Sequence, residues 1–152
     1  MSTLVPEPPQ RLKWRAMAID LGRARMGLAV NDVATAMALP HSVVERKGTR
    51  VDIAKLLPLL DKLQIDVLVV GLPPPSDDGK GSQRLCRQFA LALQTAQTRP
   101  VWLIDEAGTT VQAHEEMRLL GLKAARRRID VDKIAAARIL DRWLAGEPAE
   151  TP

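Results

Sequence analysis

The sequence predicts an α/β domain built on a mixed five-stranded sheet flanked by helices, and three observations predict it. Apolar residues make up 46% of the 152 positions and aromatics only 3%, so the core must be packed from Leu, Val, Ile and Ala. Early in the chain, Arg15 to Val30 reads as two apolar runs joined by a glycine- and arginine-bearing turn, the pattern of a β-hairpin. Later, two short continuous apolar runs alternate with helical spacing, as in parallel strands joined by right-handed crossovers.

Taken in order, Met1 to Gln10 holds three prolines and little to bury, and residues 1–13 are expected to form a disordered arm. A domain is expected over 14–146, with a frayed polar tail at 147–152. The first strand spans about Trp14 to Leu21 and the second about Met26 to Asn31. A third covers roughly Ala38 to Arg46, which makes an antiparallel meander. Helical spacing then runs through Ile53, Leu56, Leu57, Leu60 and Leu63. Pro58 conflicts with it, so this helix either starts close before the proline or kinks there.

Val67 to Val70 suits a strand buried on both faces, and the Pro- and Gly-rich stretch Leu72 to Gly81 is a loop. Within it Gly79-Lys80-Gly81 lacks the full phosphate-loop pattern and reads as a turn. A helix follows from Ser82 to Gln97, then a short strand from Val101 to Ile104. Thr109 and Gln112 fit a capping box opening a helix that Gly121 ends. Leu122 to Arg128 reads as a basic loop and Val131 to Ala145 as the last helix.

Composition narrows the function classes. A net charge of +4 leans toward a polyanionic partner. The scarcity of aromatics argues against a surface that binds single strands by stacking. Cys86 is the one cysteine, so neither an internal disulfide nor a cysteine zinc cluster can form, and it is expected to pack as a small hydrophobe. His41 and His114 stand isolated, without ligand spacing. No apolar run approaches membrane-spanning length and the start lacks a signal-peptide pattern, so a cytoplasmic protein without a membrane partner is expected.

The chemistry points to carboxylates. Asp20 and Glu106 stand at the C-terminal ends of two predicted strands, where open α/β sheets bind ligands. On the last helix Ala135, Ala136, Ile139, Leu140 and Trp143 follow Asp132 at helical intervals, which places Asp132 on the face toward the sheet. Three carboxylates converging on one edge would repel one another unless a cation sat between them. Oxygen ligands of this kind suit Mg²⁺ or Mn²⁺, ions that activate water and support the leaving oxygen in phosphodiester cleavage. Cations surround these acids in the sequence. Arg23 and Arg25 lie in the first turn beside Asp20. Lys123, Arg126, Arg127 and Arg128 precede Asp132, and Lys133 follows it. All seven are candidates for binding phosphates.

At these residues the sequence resembles the YqgF/RuvX family, whose members are also called Holliday junction resolvase-like proteins or pre-16S rRNA nucleases. The matching pieces are Ala18-Ile19-Asp20-Leu21-Gly22 with Arg25 to Asp32, Val69-Val70-Gly71-Leu72-Pro73, Asp105-Glu106 with Thr109-Thr110, and Val131-Asp132-Lys133 with Ala135-Ala136 and Ile139-Leu140. They keep the family's order from Trp14 to Leu144. The resemblance implies a ribonuclease H-like fold and a metal-dependent nuclease whose acids are Asp20, Glu106 and Asp132. It departs from the family at Ala107-Gly108, where Arg-Leu is usual, and at Pro75, where asparagine is frequent. Phosphate binding is then weakened, or passes to Arg25 or the basic loop.

The leading expectation is a nuclease acting on RNA, as in maturation of the pre-16S rRNA 5′ end. A resolvase cutting branched DNA as a homodimer stands beside it, since two symmetric cuts need two subunits. A non-catalytic nucleic-acid-binding or ribosome-associated module is the competing class. An actin-like nucleotide-binding domain is disfavoured, because the chain is too short for two lobes.

Overall fold

The structure is a computed structural model that describes residues 8–75, 82–107, 115, 118–119 and 124–152, without the side chains of 8, 9 and 124–130. The meander forms as expected: β1 (Ala16–Leu21), β2 (Arg25–Asp32) and β3 (Met37–Glu45) pair antiparallel in sequence order. Helix α2 (Thr49–Lys62) then leads to β4 (Val67–Leu72), and α3 (Ser82–Ala96) leads to β5 (Val101–Asp105). Both β4 and β5 run parallel to β1, giving the order β3-β2-β1-β4-β5-β6. A short α1 (Pro8–Arg11) precedes the sheet, and α4 (Ala124–Leu144) crosses it near the end.

The strands alternate strictly between two layers, as the two-residue period of extended chain requires. Met17, Ile19, Leu28, Leu68, Val70 and Leu103 point to one side, where Ile53, Leu56 and Leu60 of α2 and Phe89 and Leu93 of α3 cover them. Ala16, Ala18, Ala29, Val67, Val69 and Ile104 point to the other, against Ala136, Ile139, Leu140 and Trp143 of α4. All six residues of β4 are buried, the result of being covered on both faces. The apolar stripe read from Asp132 to Trp143 is the face that α4 lays on the sheet, since Ala135, Ala136, Ile139, Leu140 and Trp143 are fully buried.

Several expectations need correction. The sheet has six strands rather than five. The sixth, β6 (Ala149–Glu150), pairs antiparallel with β5 in the tail that was expected to fray. Two residues carry no alternation to read. Gly146, at φ 82°, ends α4 in the left-handed conformation and turns the chain back toward β5. The arm expected to be disordered over 1–13 contains α1, and residues 1–7 lie outside the described ones. Buried Arg11 anchors α1. Its guanidinium lies 4.2 Å over the Trp143 ring and donates to the Trp143 and Glu147 carbonyls.

Arg126 to Arg128 belong to α4 and not to a loop, because the helix begins at Ala124. Alanine and arginine are both strong helix formers, and a run of charge hides that propensity. Helix α2 passes through Pro58 as one element, so the proline neither starts nor ends it. The capping box at Thr109 and Gln112, together with Gly79-Lys80-Gly81, His114, Gly121 and Lys123, falls outside the described residues.

Candidate active site

Asp20 is the fifth residue of β1 and faces the α4 layer, in step with Ala16 and Ala18. Its neighbours across the sheet are glycines on both sides. On β2 it pairs with Gly27. On β4, where Ile19 pairs with Val70, the next step along the parallel register sets it beside Gly71.

The two glycines do different things. A Cβ on Gly27 would lie 2.0 Å from the backbone oxygen of Asp132, so the missing side chain lets α4 rest directly on the sheet. A Cβ on Gly71 would lie 2.5 Å from Glu106 Oε2 and 2.5 Å from Ile139 Cδ1. Gly71 thus leaves the gap through which Glu106 reaches inward. Strands β1 and β5 are separated by β4, about 10 Å at ordinary strand spacing. Over that gap the Glu106 carboxyl crosses the intervening strand and hydrogen-bonds Asp20.

Burial dominates the electrostatics of this pair. It pushes Asp20 up from 3.8 to about 6. The hydrogen bond from Glu106 opposes the shift, and the charge of Asp132 adds to it. Glu106 rises further, from 4.5 to about 8, first through burial and then through the charge and hydrogen bond of Asp20. Asp105 adds to the rise and Arg142 offsets part of it. Two acids in contact cannot both ionise cheaply, so at neutral pH they share a proton, with Glu106 donating to the Asp20 carboxylate. Cys86, under the same edge on the opposite face, is raised to about 12 by burial and by these two acids, so its thiol is inert.

Asp132, the third acid, is engaged by a cation. Its Oδ2 accepts a hydrogen bond from Arg25 Nε at 2.6 Å. Among the described residues no three acid, histidine or cysteine side chains are grouped to hold one ion. The cation faces Asp132 from the start of β2. Arg25, expected in the turn with its guanidinium offered to phosphate, is the first residue of β2 and is paired. Arg23 is exposed in the turn, and Lys133 follows Asp132 on α4. Arg126, Arg127 and Arg128 contribute only their helical backbone to the described structure.

Sequence reasoning missed two further arginines. Arg142, beside Trp143 on α4, donates to the carbonyls of Asp105 and Ala107 and so brackets Glu106. Arg46 donates to Gly22 O at 3.1 Å and pairs with the buried Asp52 at 2.9 Å, which fixes the β1–β2 turn to the start of α2. Only Arg142 left a trace in the sequence, as a cation in the last helical turn.

The donor set can be weighed against a divalent cation. Mg²⁺ and Mn²⁺ take one or two protein carboxylates and fill their remaining positions with water and substrate oxygens. Asp20 and Glu106 meet that requirement, and Gly71 keeps the space around Glu106 Oε2 free of a side chain. Asp132, whose Oδ2 is engaged by Arg25, is not grouped with this pair among the described residues.

A mixed sheet with strand order 3-2-1-4-5, extended here by β6, with facing acids at the ends of parallel strands, is the ribonuclease H-like arrangement. The described residues include no helix long and apolar enough to cross a membrane. Residues 14–146 match the model of the RuvX family, described as Holliday junction resolvase, and the chain belongs to that family. A relative from Anaeromyxobacter sp. (strain Fw109-5), named "Putative pre-16S rRNA nuclease", is 40% identical over 136 residues, covering 89% of this chain and 99% of its own. A relative of the same name from Synechococcus sp. (strain JA-3-3Ab) is 34% identical over 145 residues, covering 95% and 91%. In fold the chain is similar to Thermus thermophilus RuvC in complex with a Holliday junction substrate. The TM-score is 0.54 at 22% identity, over 87% of this chain and 94% of that one.

Proposed function

We propose that this chain is a cytoplasmic, divalent-cation-dependent nuclease that hydrolyses phosphodiester bonds in RNA, with the 5′ end of pre-16S rRNA as its substrate. The observation that carries the chemistry is the half-buried Asp20–Glu106 pair meeting over Gly71 at the C-terminal edge of the sheet. The RNA assignment is supported by relatives that match nearly the full chain and carry that name. Asp20 and Glu106, and Asp132 once released, are the ligands we assign to Mg²⁺ or Mn²⁺. When bound, such an ion supplies an activated water and support for the leaving oxygen.

The chain's own residues do the rest. Asp20 stands on the central strand, whose rigidity fixes its position. Glu106 gives up the shared proton when the pair becomes a ligand set. Arg142 holds the backbone on both sides of Glu106, so that its carboxyl stays directed inward. Arg23, Arg25, Lys123, Arg126, Arg127, Arg128 and Lys133 bind substrate phosphates and take no part in the chemistry.

The test is a cleavage panel with Mg²⁺ or Mn²⁺ on single-stranded RNA, single-stranded DNA, duplexes and a four-way junction. Cleavage confined to RNA supports the assignment. The second reading, a resolvase acting on branched DNA, is favoured by the family model and requires a homodimer for its paired cuts. Symmetric cutting of the junction by a dimer would replace the RNA assignment. Binding without cleavage of any substrate would leave a nucleic-acid-binding module.

A further inference from the structure

The sequence assigns Arg25 to phosphate and Asp132 to a cation, and the fold ties the two together. Their side chains lie 107 residues apart in the chain and meet at 2.6 Å, from the start of β2 to the start of the stripe on α4. The contact is neither deep nor open, since the arginine is 35% and the aspartate 22% exposed. That is enough water to let either partner exchange. Pairs of this kind shift an equilibrium by roughly three- to fivefold at most. Asp132 nevertheless stays near Asp20: its backbone oxygen lies against Gly27, the β2 partner of Asp20, and its charge is felt by the Asp20 carboxyl. A phosphodiester offers the guanidinium two anionic oxygens in fork geometry, a better partner than the one carboxylate oxygen it now holds.

We propose that Arg25 is a positioning residue, a built-in counter-ion that keeps Asp132 turned away from Asp20 and Glu106 until a substrate phosphate takes the guanidinium. This inference rests on the nuclease reading above. Arrival of the phosphate vacates Asp132, and the third carboxylate then joins the acid pair. Substrate and divalent cation therefore assist each other's binding, and the coupling is reciprocal. The free protein holds the cation weakly, which limits cleavage to moments when a phosphate is already seated.

The experiment measures Mn²⁺ affinity by calorimetry on the full chain without nucleic acid. It compares wild type, Arg25→Gln, Asp132→Asn and the double variant, with folding checked by thermal melting. Arg25→Gln should bind Mn²⁺ about three- to fivefold more tightly than wild type. In the Asp132→Asn background the same change should have no effect, because the arginine acts through that carboxylate. Adding a hydrolysis-resistant phosphorothioate RNA should raise the Mn²⁺ affinity of wild type more than that of Arg25→Gln. Equal tightening in both backgrounds would mean a general charge effect and would overturn the proposal, as would unchanged Mn²⁺ affinity in Arg25→Gln. If Arg25→Gln does not fold, Arg25→Lys serves, with an intermediate gain expected and none overturning the idea. A wild type that cleaves but gives a flat cycle sinks this inference alone. A wild type that binds no Mn²⁺, with or without the RNA, sinks the nuclease reading with it.

Discussion

The two faces of the sheet are packed on opposite plans. Toward α2 and α3 the strands present Met17, Ile19, Leu28, Leu68 and Leu103, large side chains that interdigitate with Leu56, Leu60, Phe89 and Leu93. Toward α4, β1 and β2 present Ala16, Ala18, Gly27 and Ala29 and β4 ends at Gly71, while β4 and β5 also present Val67, Val69, Trp102 and Ile104. The first face is filled by large apolar side chains from both layers. The second lets one helix settle onto the strand backbones, and the space its small residues leave at the strand ends is filled by Asp20 and Glu106. Burial of large apolar groups stabilises the fold from one side. On the other side the same burial is joined by two half-buried acids at the strand ends.

The contrast can be broken most sharply at Asp20. Asp20→Asn keeps the volume and removes the charge, so cleavage should fall by at least about a hundredfold while the protein stays folded. Metal-dependent cleavage and thermal melting of the purified variant check both halves. A folded variant cutting at near wild-type rate would falsify the metal-nuclease assignment.

On the packed face, Leu28→Ala should cost about 2–5 kcal/mol in denaturant unfolding, through lost burial and the cavity left behind. On the α4 face the damage comes from the reverse change. Gly27→Ala drives a methyl against the Asp132 backbone and should cost about 1–3 kcal/mol, with any surviving activity reduced because α4 must shift.

A subtler separation uses pH. Asp20 and Glu106 are raised to about 6 and about 8 in the folded chain from 3.8 and 4.5, so the folded state holds protons that the unfolded state releases. Their contribution to stability is fully present below about pH 4 and is lost as pH rises through 6 to 8. In chelator the melting temperature should fall across that window. The fall should be shallower in Asp20→Asn, and Mn²⁺ should reverse it in the wild type. A wild-type melting curve independent of pH between 5 and 8 would contradict the buried proton. The smallest effect belongs to the helical arginines. Replacing Arg126, Arg127 and Arg128 by alanine should flatten the salt dependence of RNA binding by about one unit per lost phosphate contact. An unchanged slope would remove them from the interface.

The sequence made the hairpin, the two parallel strands and the α4 stripe legible because each carries a clean period, of two residues or of 3.6. The positions of Asp20 and Glu106 at strand ends follow from the same periods. The Arg25–Asp132 pair was not legible, because nothing local links residues 107 apart. Gly71 was readable only as part of a motif. Its role depends on lying between two strands that are adjacent to it in space and distant in sequence. Arg142 was not legible either, because the carbonyls it meets belong to β5 and its end, 35 to 37 residues away in the chain. Local pattern reveals which face an element buries, and it is silent on which polar groups then meet.

Gly71 also sets how this protein could be silenced. The atoms nearest an added methyl there are the ends of two flexible side chains, Glu106 and Ile139, and no backbone atom is among them. A methyl there would have to displace both. A single carbon atom placed at this position would then act as a wedge. The sheet, its charges and its nucleic-acid surface would persist, while the two carboxyls were pried apart. Such a molecule would be a decoy, able to occupy a cleavage site and shield it.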